Sequence, residues 1–267
     1  MNRVTKASNA PLALVTGASS GIGQACARQL AADGYDLIVV GRRRERLEEL
    51  VDAFPDVNVR AVVADLGTDP GIDAVADICA SEKLSMLVNN AGVAHYMSFT
   101  QLPSDKATEL LHVKVIAPTM LARAAAPGMV ARREGTIINV SGMLAFGAPA
   151  PLGKSPGRAT YVATLAHIVA LSQALHEELA SQGVRVQALC PGVVATEFHE
   201  RQGMDLSAVP RMSAQDVVAA SLQGLRLGEV VCAPGVEQPE LLEAAFRADL
   251  TAFGSQLPQL AQRYRPS

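Results

Sequence analysis

The sequence predicts an α/β protein, a single domain doubly wound on a seven-stranded parallel sheet with helices on both faces. Three observations carry that expectation. From residue 12 onward, short apolar runs alternate with stretches of helical period. The runs are continuously apolar rather than alternating in polarity, the mark of strands covered on both sides. No segment of the chain repeats another.

The elements follow in order. LALVTG (12–17) leads through glycines into IGQACARQLAADG, where Ile22, Ala25, Cys26, Gln29 and Leu30 keep a helical period and Gly34 ends it. YDLIVVG (35–41) is the second strand, followed by the charged helical stretch RRERLEELVDAF. VRAVVAD (59–65), LSMLVNNAG (84–92), GTIINVSG (135–142) and VRVQALCPG (184–192) repeat the theme, and EVVCAPG (229–235) supplies the seventh run. Two stretches break the rhythm. LAFGAPAPLGKSPGRA (144–159) is rich in Gly, Pro and Ala, and ATEFHERQGMDLSAVPRMSA (195–214) mixes polarity without a period. Both follow strand ends, where doubly wound folds bind ligands, so both are candidate substrate loops. Residues 1–10 are expected to be disordered, and 11–267 to form one domain.

Composition narrows the function. The chain has 267 residues, 49% hydrophobic and 18% charged, with a formal net charge of −3. That balance suits a globular core and gives no footprint for nucleic acid. Cys26, Cys79, Cys190 and Cys232 form no CxxC pair, which favours buried free thiols over a metal site or a disulfide framework. MNRVTKASNAP has no apolar h-region, and no run of 18 apolar residues occurs. The expectation is a soluble cytoplasmic protein with no membrane partner.

TGASSGIG (16–23) directly follows the first strand and opens the first helix. Glycines there allow a tight turn and close approach to a pyrophosphate, whose charge suits a helix N-terminus. The second strand ends VVGRRRERL, without the acid that would read a ribose 2′-hydroxyl. Arg42 and Arg43 offer guanidinium forks suited to a 2′-phosphate. The competing reading is a solvated helix start, but a cationic first turn opposes the helix dipole. NADP(H) is therefore favoured over NAD(H).

Three further signals appear in sequence: NNAG (89–92) closing the fourth strand, PGVVATEF (191–198) after the sixth, and Tyr161 opening a helix between them. Together with the glycine turn, this set resembles the short-chain dehydrogenase/reductase family over roughly residues 10 to 235. The tail from 236 onward is not covered. The resemblance implies a Rossmann fold in which Gly17, Ser19, Ser20, Gly21, Ile22 and Gly23 lie along the cofactor's phosphates and ribose. Asp65 would reach the adenine, with Leu66 beside it, and Asn89, Ala91 and Gly92 would line the ribose side. Pro191, Gly192, Val193 and Thr196 would hold the nicotinamide, with Thr196 bonding its carboxamide unless it merely caps a helix.

The resemblance also implies a catalytic unit, and here the chain departs from it. Tyr161 matches the proton-transferring tyrosine, but the lysine expected four residues later is Leu165. The substrate-binding serine is expected where Gly142 stands, and Ser141 comes one residue early, on the opposite face of an extended strand end. The relay asparagine is replaced by Lys114. Lys114 either supplies, from the neighbouring helix, the ammonium lost at Leu165, or snorkels to solvent.

The leading expectation is an NADP(H)-dependent oxidoreductase that reduces a small hydrophobic carbonyl compound. Tyr161 would be the acid, with Ser141 and Lys114 in altered supporting roles. A cofactor-binding protein with little turnover, and a lyase or isomerase on the same scaffold, stand beside it. Val93, His95, Tyr96 and Met97 suggest a hydrophobic ligand, and His95 and His199 are read as surface or pocket-wall residues. YVATLAHIVALSQAL is apolar on more than one face. Together with the resemblance, that implies a homodimer or homotetramer through the helices containing residues 104–131 and 160–181.

Overall fold

The computed structural model describes residues 9–151, 157–206 and 208–265. Most of the disordered segment expected at 1–10 thus lies outside the described residues, as do 152–156 and 207 of the two expected substrate loops. The chain separates into two compact units, Met1–Pro234 and Gly235–Ser267.

The first unit carries the sheet. Its strands are β1 (Leu12–Thr16), β2 (Asp36–Gly41), β3 (Val59–Val63), β4 (Leu84–Asn89), β5 (Gly135–Val140), β6 (Val184–Leu189) and β7 (Val231–Cys232). They lie in the order β3-β2-β1-β4-β5-β6-β7, and every pairing is parallel. The helices of this unit are α1 (Gly21–Ala32), α2 (Arg44–Ala53), α3 (Asp69–Ser81), α4 (Ser104–Leu111), α5 (Ala117–Arg132), α6 (Ala159–Leu179) and α7 (Ala214–Leu227). The direction of winding reverses between β1 and β4, which opens a crevice at the carboxyl ends of these strands.

Residue alternation sends each strand into two cores. Ala13 and Val15 of β1 join Leu37 and Val39 of β2 under α1, α2 and α7. Leu14, Ile38 and Val40 point the other way and pack with Ile72, Val75, Leu121 and Met129 of α3 and α5. Leu14 and Leu121 are fully buried, and truncating such a leucine to alanine costs roughly 2–5 kcal/mol. β1, β2 and β5 are buried along nearly their whole length, whereas edge strand β3 is partly exposed and carries Arg60.

Between α4 and α5 the helix widens into one π-helical turn, His112–Ile116. The sequence supplies a cause. Pro118 has no N–H to give the carbonyl of Lys114 four residues back, and its ring crowds that carbonyl. The turn places Lys114 at the point where the helix loosens.

The second unit consists chiefly of α8 (Glu240–Gly254), followed by a short turn at Gln262–Tyr264. Leu241, Leu250 and Phe253 of α8 are exposed. No described helix of the protein is long and apolar enough to cross a membrane.

Candidate active site

A cavity of about 630 Å³ opens at the carboxyl ends of the strands. Its volume lies within the range of small-molecule sites, about 300–1,000 Å³. One end is built for phosphate. Gly17 and Gly21 take positive φ angles of 65° and 54°, which L side chains rarely adopt. A Cβ at Gly17 would also meet the Ala91 backbone at 2.9 Å. Ser20 caps α1 without a side-chain hydrogen bond, so the first-turn N–H groups of α1 face the groove open to an anion.

Arginines stand beside that turn, and they differ. Arg43 is pinned: its guanidinium donates to the Ser19 hydroxyl at 3.0 Å, to the Ser19 carbonyl at 3.1 Å and to Glu197 at 2.9 Å. Arg42 is more exposed, with Asp65 at 3.9 Å and Glu109 at 3.6 Å. Glu197 also pairs with Arg201, and although partial burial acts to raise its carboxyl, Ser20, Arg43 and Arg46 together hold it below the usual range. A carboxylate from the loop after β6 therefore rests among the groups best placed to meet a cofactor phosphate. These donors and the open helix terminus fit a nicotinamide dinucleotide phosphate. Glu197 carries no local sequence signal for this place, because its partner Arg43 is 154 residues away in the chain.

NNAG is divided by side-chain direction. Thr16 of β1 accepts the backbone N–H groups of Asn90 at 2.9 Å and Ala91 at 3.0 Å, fixing the strand end against the glycine turn. The Asn89 side chain instead donates to Asn139 at 2.9 Å and Pro118 at 3.3 Å, and Asn139 donates to Ser172 at 3.0 Å. This buried chain ties β4 and β5 to α5 and α6. Of the cofactor residues expected from sequence, Gly23 and Asn89 stand off the wall of the large cavity, and all the others line it.

The other end of the cavity carries Tyr161, in the first turn of α6 and 8% exposed. Its ring meets that of Tyr96 edge-to-face, with centroids 5.4 Å apart. Burial, and then the neighbouring Tyr96, push the Tyr161 phenol well above the ordinary tyrosine range. Leu165 is buried on the same helical face. The Ser141 hydroxyl donates to the Leu165 carbonyl at 2.8 Å, so it is engaged by the backbone of α6. Position 142 has room, since a Cβ there would meet Leu165 Cδ1 at 3.5 Å.

Lys114 does not reach solvent by snorkelling. It is 6% exposed, and its ammonium donates to the Val140 carbonyl at 3.1 Å. A Cβ on Gly92 would stand 3.4 Å from Nζ, which places the ammonium at the NNAG wall. Burial lowers its pKa to about 8, partly offset by the neighbouring Cys190. Tyr161, Ser141 and Lys114 thus line one cavity, but the phenol neighbours Tyr96 whereas the ammonium neighbours Val140 and Cys190.

The four thiols are buried and unpaired, and burial raises each to about 12, so they are inert as nucleophiles. His95 pairs with Glu109 at 3.0 Å, while His199 stacks on Tyr96 at 6.4 Å and joins the cavity wall. Val93, Tyr96, Leu144, Phe198, Met204 and Leu206 make this end apolar. Both expected substrate loops contribute to it.

Comparison with known proteins agrees with this geometry. The family model for short chain dehydrogenase matches residues 11–206. A very-long-chain 3-oxoacyl-CoA reductase-like protein of Arabidopsis thaliana is 34% identical over 192 residues, covering 70% of this chain and 60% of that protein. An inactive hydroxysteroid dehydrogenase-like protein 1 of Homo sapiens is 33% identical, covering 70% of this chain and 56% of its own length. The chain therefore spans under two thirds of these two relatives. Among solved structures, a short-chain dehydrogenase of Sphingobium yanoikuyae in complex with NADPH superposes with a TM-score of 0.89. It is 34% identical and covers 95% of this chain and all of its own.

Proposed function

The chain belongs to the short-chain dehydrogenase/reductase family of oxidoreductases, and from that premise we propose an NADP(H)-dependent reductase of small hydrophobic carbonyl compounds with Tyr161 as proton donor. One observation carries the reading. A single cavity joins a phosphate cradle flanked by Arg42 and Arg43 to an apolar end holding a buried phenol. A bound reduced nicotinamide nucleotide supplies the hydride. Tyr161 does the rest of the bond-making. Because burial keeps its phenol protonated across the physiological range, it arrives as an acid, the form that carbonyl reduction needs. Alcohol oxidation needs the tyrosinate and is disfavoured by the same burial.

Lys114 presents its ammonium at the Gly92 wall, where the family resemblance puts the cofactor ribose. In this reading it holds the ribose from α4–α5, in place of the lysine missing from position 165. Arg43 selects the 2′-phosphate once Glu197 gives way. The competing reading is cofactor binding without turnover. It is favoured by the Ser141 hydroxyl, which is spent on the Leu165 carbonyl, and by the human relative described as inactive.

The test follows reduced-nicotinamide absorbance with NADPH, NADH and a panel of ketones, aldehydes and quinones. NADPH oxidation with any carbonyl supports the proposal. Tight NADPH binding without turnover across the panel supports the competitor instead.

A further inference from the structure

We propose that Tyr96 is the positioning residue for the proton transfer, holding the Tyr161 oxygen in place of the absent lysine. This rests on the reading of Tyr161 as proton donor. Their rings meet edge-to-face at 5.4 Å with an interplanar angle of 66°, and both residues stand on the wall of the same cavity. Such packing fixes both hydroxyls while leaving each ring apolar contact. Tyr161 is buried, whereas Tyr96 is half-buried, so the pair runs from the closed part of the cavity toward its open side. Arg158 stands near Tyr96 and favours charge there, and His199 stacks on its other side with Arg211 nearby. Arg42, Arg43, Lys114 and Arg201 are the other cations on the cavity wall, and Lys114 is engaged by Val140.

The step balances as follows. The carbonyl carbon receives hydride from the reduced nicotinamide nucleotide, and its oxygen takes the proton of Tyr161. The Tyr161 O–H bond breaks, the alcohol O–H bond forms, and the electron pair remains on the Tyr161 oxygen. The Tyr96 hydroxyl then donates to that oxygen and stabilises the anion, since a hydrogen bond to a charged oxygen is roughly twice as strong as a neutral one. The proton passes from Tyr96 to Tyr161, and water at the open side restores Tyr96.

Tyr96→Phe keeps the ring and removes the hydroxyl. The expected result is a kcat at least about tenfold lower, with the carbonyl KM and NADPH affinity nearly unchanged. Adding Leu165→Lys to that variant should recover much of the loss, which a merely structural role would not predict. If wild type turns over, Tyr161→Phe is inactive and Tyr96→Phe keeps the full kcat, the inference is overturned while the proposed function stands. If wild type shows no turnover, the proposed function falls, and phenolate absorbance in an alkaline titration decides the inference. With only four tyrosines in the chain, the pair's ionisation can be isolated with single variants. Hydrogen-bonded phenols share the first anion, so the first ionisation of the pair should move to higher pH in both Tyr96→Phe and Tyr161→Phe. An unmoved ionisation in either variant overturns the inference.

Discussion

Lys114→Met should stabilise the fold and impair its function at once. The lysine's pKa falls from 10.5 to about 8 on burial. That gap of about two and a half pH units corresponds to roughly 3 kcal/mol against the folded state when the group is charged. Methionine keeps the stem and removes the charge, at the cost of the bond to the Val140 carbonyl, worth about 1 kcal/mol. The net expectation is a gain of about 2 kcal/mol at pH 7. The sign follows from proton binding. Between pH 8 and 10.5 the unfolded lysine holds a proton that the folded one has released, so wild-type stability rises with pH there. Below about 8 both forms are protonated and the deficit is full. Urea unfolding of both proteins at neutral and at alkaline pH reads this directly, because groups common to the two cancel in the difference. The mutant's advantage should be greatest at neutral pH and close as pH approaches 10. The same variant should lose at least about tenfold in activity, a stability–function trade-off expected of a charge kept in place for its chemistry. A variant less stable than wild type at pH 7, or an advantage equal at both pH values, would show that the buried ammonium carries no such cost.

Other consequences can be read with few variants. Arg43→Ala should weaken NADPH binding about tenfold or more and leave NADH nearly untouched, as expected for a lost charge-assisted contact of roughly 1.5–3 kcal/mol. Glu197→Gln should act in the opposite sense, tightening NADPH by a few fold in a fluorescence titration, because its carboxylate holds Arg43 at 2.9 Å. Gly142→Ser, Leu165→Lys and Lys114→Asn together should raise ketone reduction by about tenfold or more, since position 142 has room for a Cβ. No gain on any substrate would mean that the site is committed to other chemistry. Assembly is expected to be a homodimer or homotetramer. The outward face of α6 presents Ala163, Ala170 and Ala174, short enough for a second copy to approach closely. A monomer by light scattering at micromolar concentration would count against it.

The fold was legible because burial on both faces makes the inner strands predominantly apolar, as in LALVT of β1 and DLIVVG of β2. Only the seventh, expected over 229–235, shrinks to Val231–Cys232, at the edge beside β6. The glycine turn and the Arg42–Arg43 pair on the cavity wall were equally legible, since each is contiguous in sequence. What escaped depends on pairings between distant segments. Ser141 reaches the Leu165 carbonyl, Arg43 reaches Glu197, and Tyr161 reaches Tyr96, and no local period encodes any of these. Asn89 falls within a motif that points to cofactor, but alternation along β4 turns its side chain into the buried chain with Asn139 and Ser172. One missed feature did have a sequence signal: Pro118, four residues after Lys114, marks where the helix must widen.

In the proposed function Tyr161 works as an acid beside a bound NADPH. The most direct measurement compares wild type with Tyr161→Phe for NADPH oxidation against a panel of hydrophobic ketones and aldehydes, with NADPH affinity measured on both. The expected result is turnover by wild type and a loss of about 10² to 10⁴ in kcat for the variant, at matched NADPH affinity. Equal turnover by the two proteins would contradict it, as would saturating NADPH with no turnover on any member of the panel.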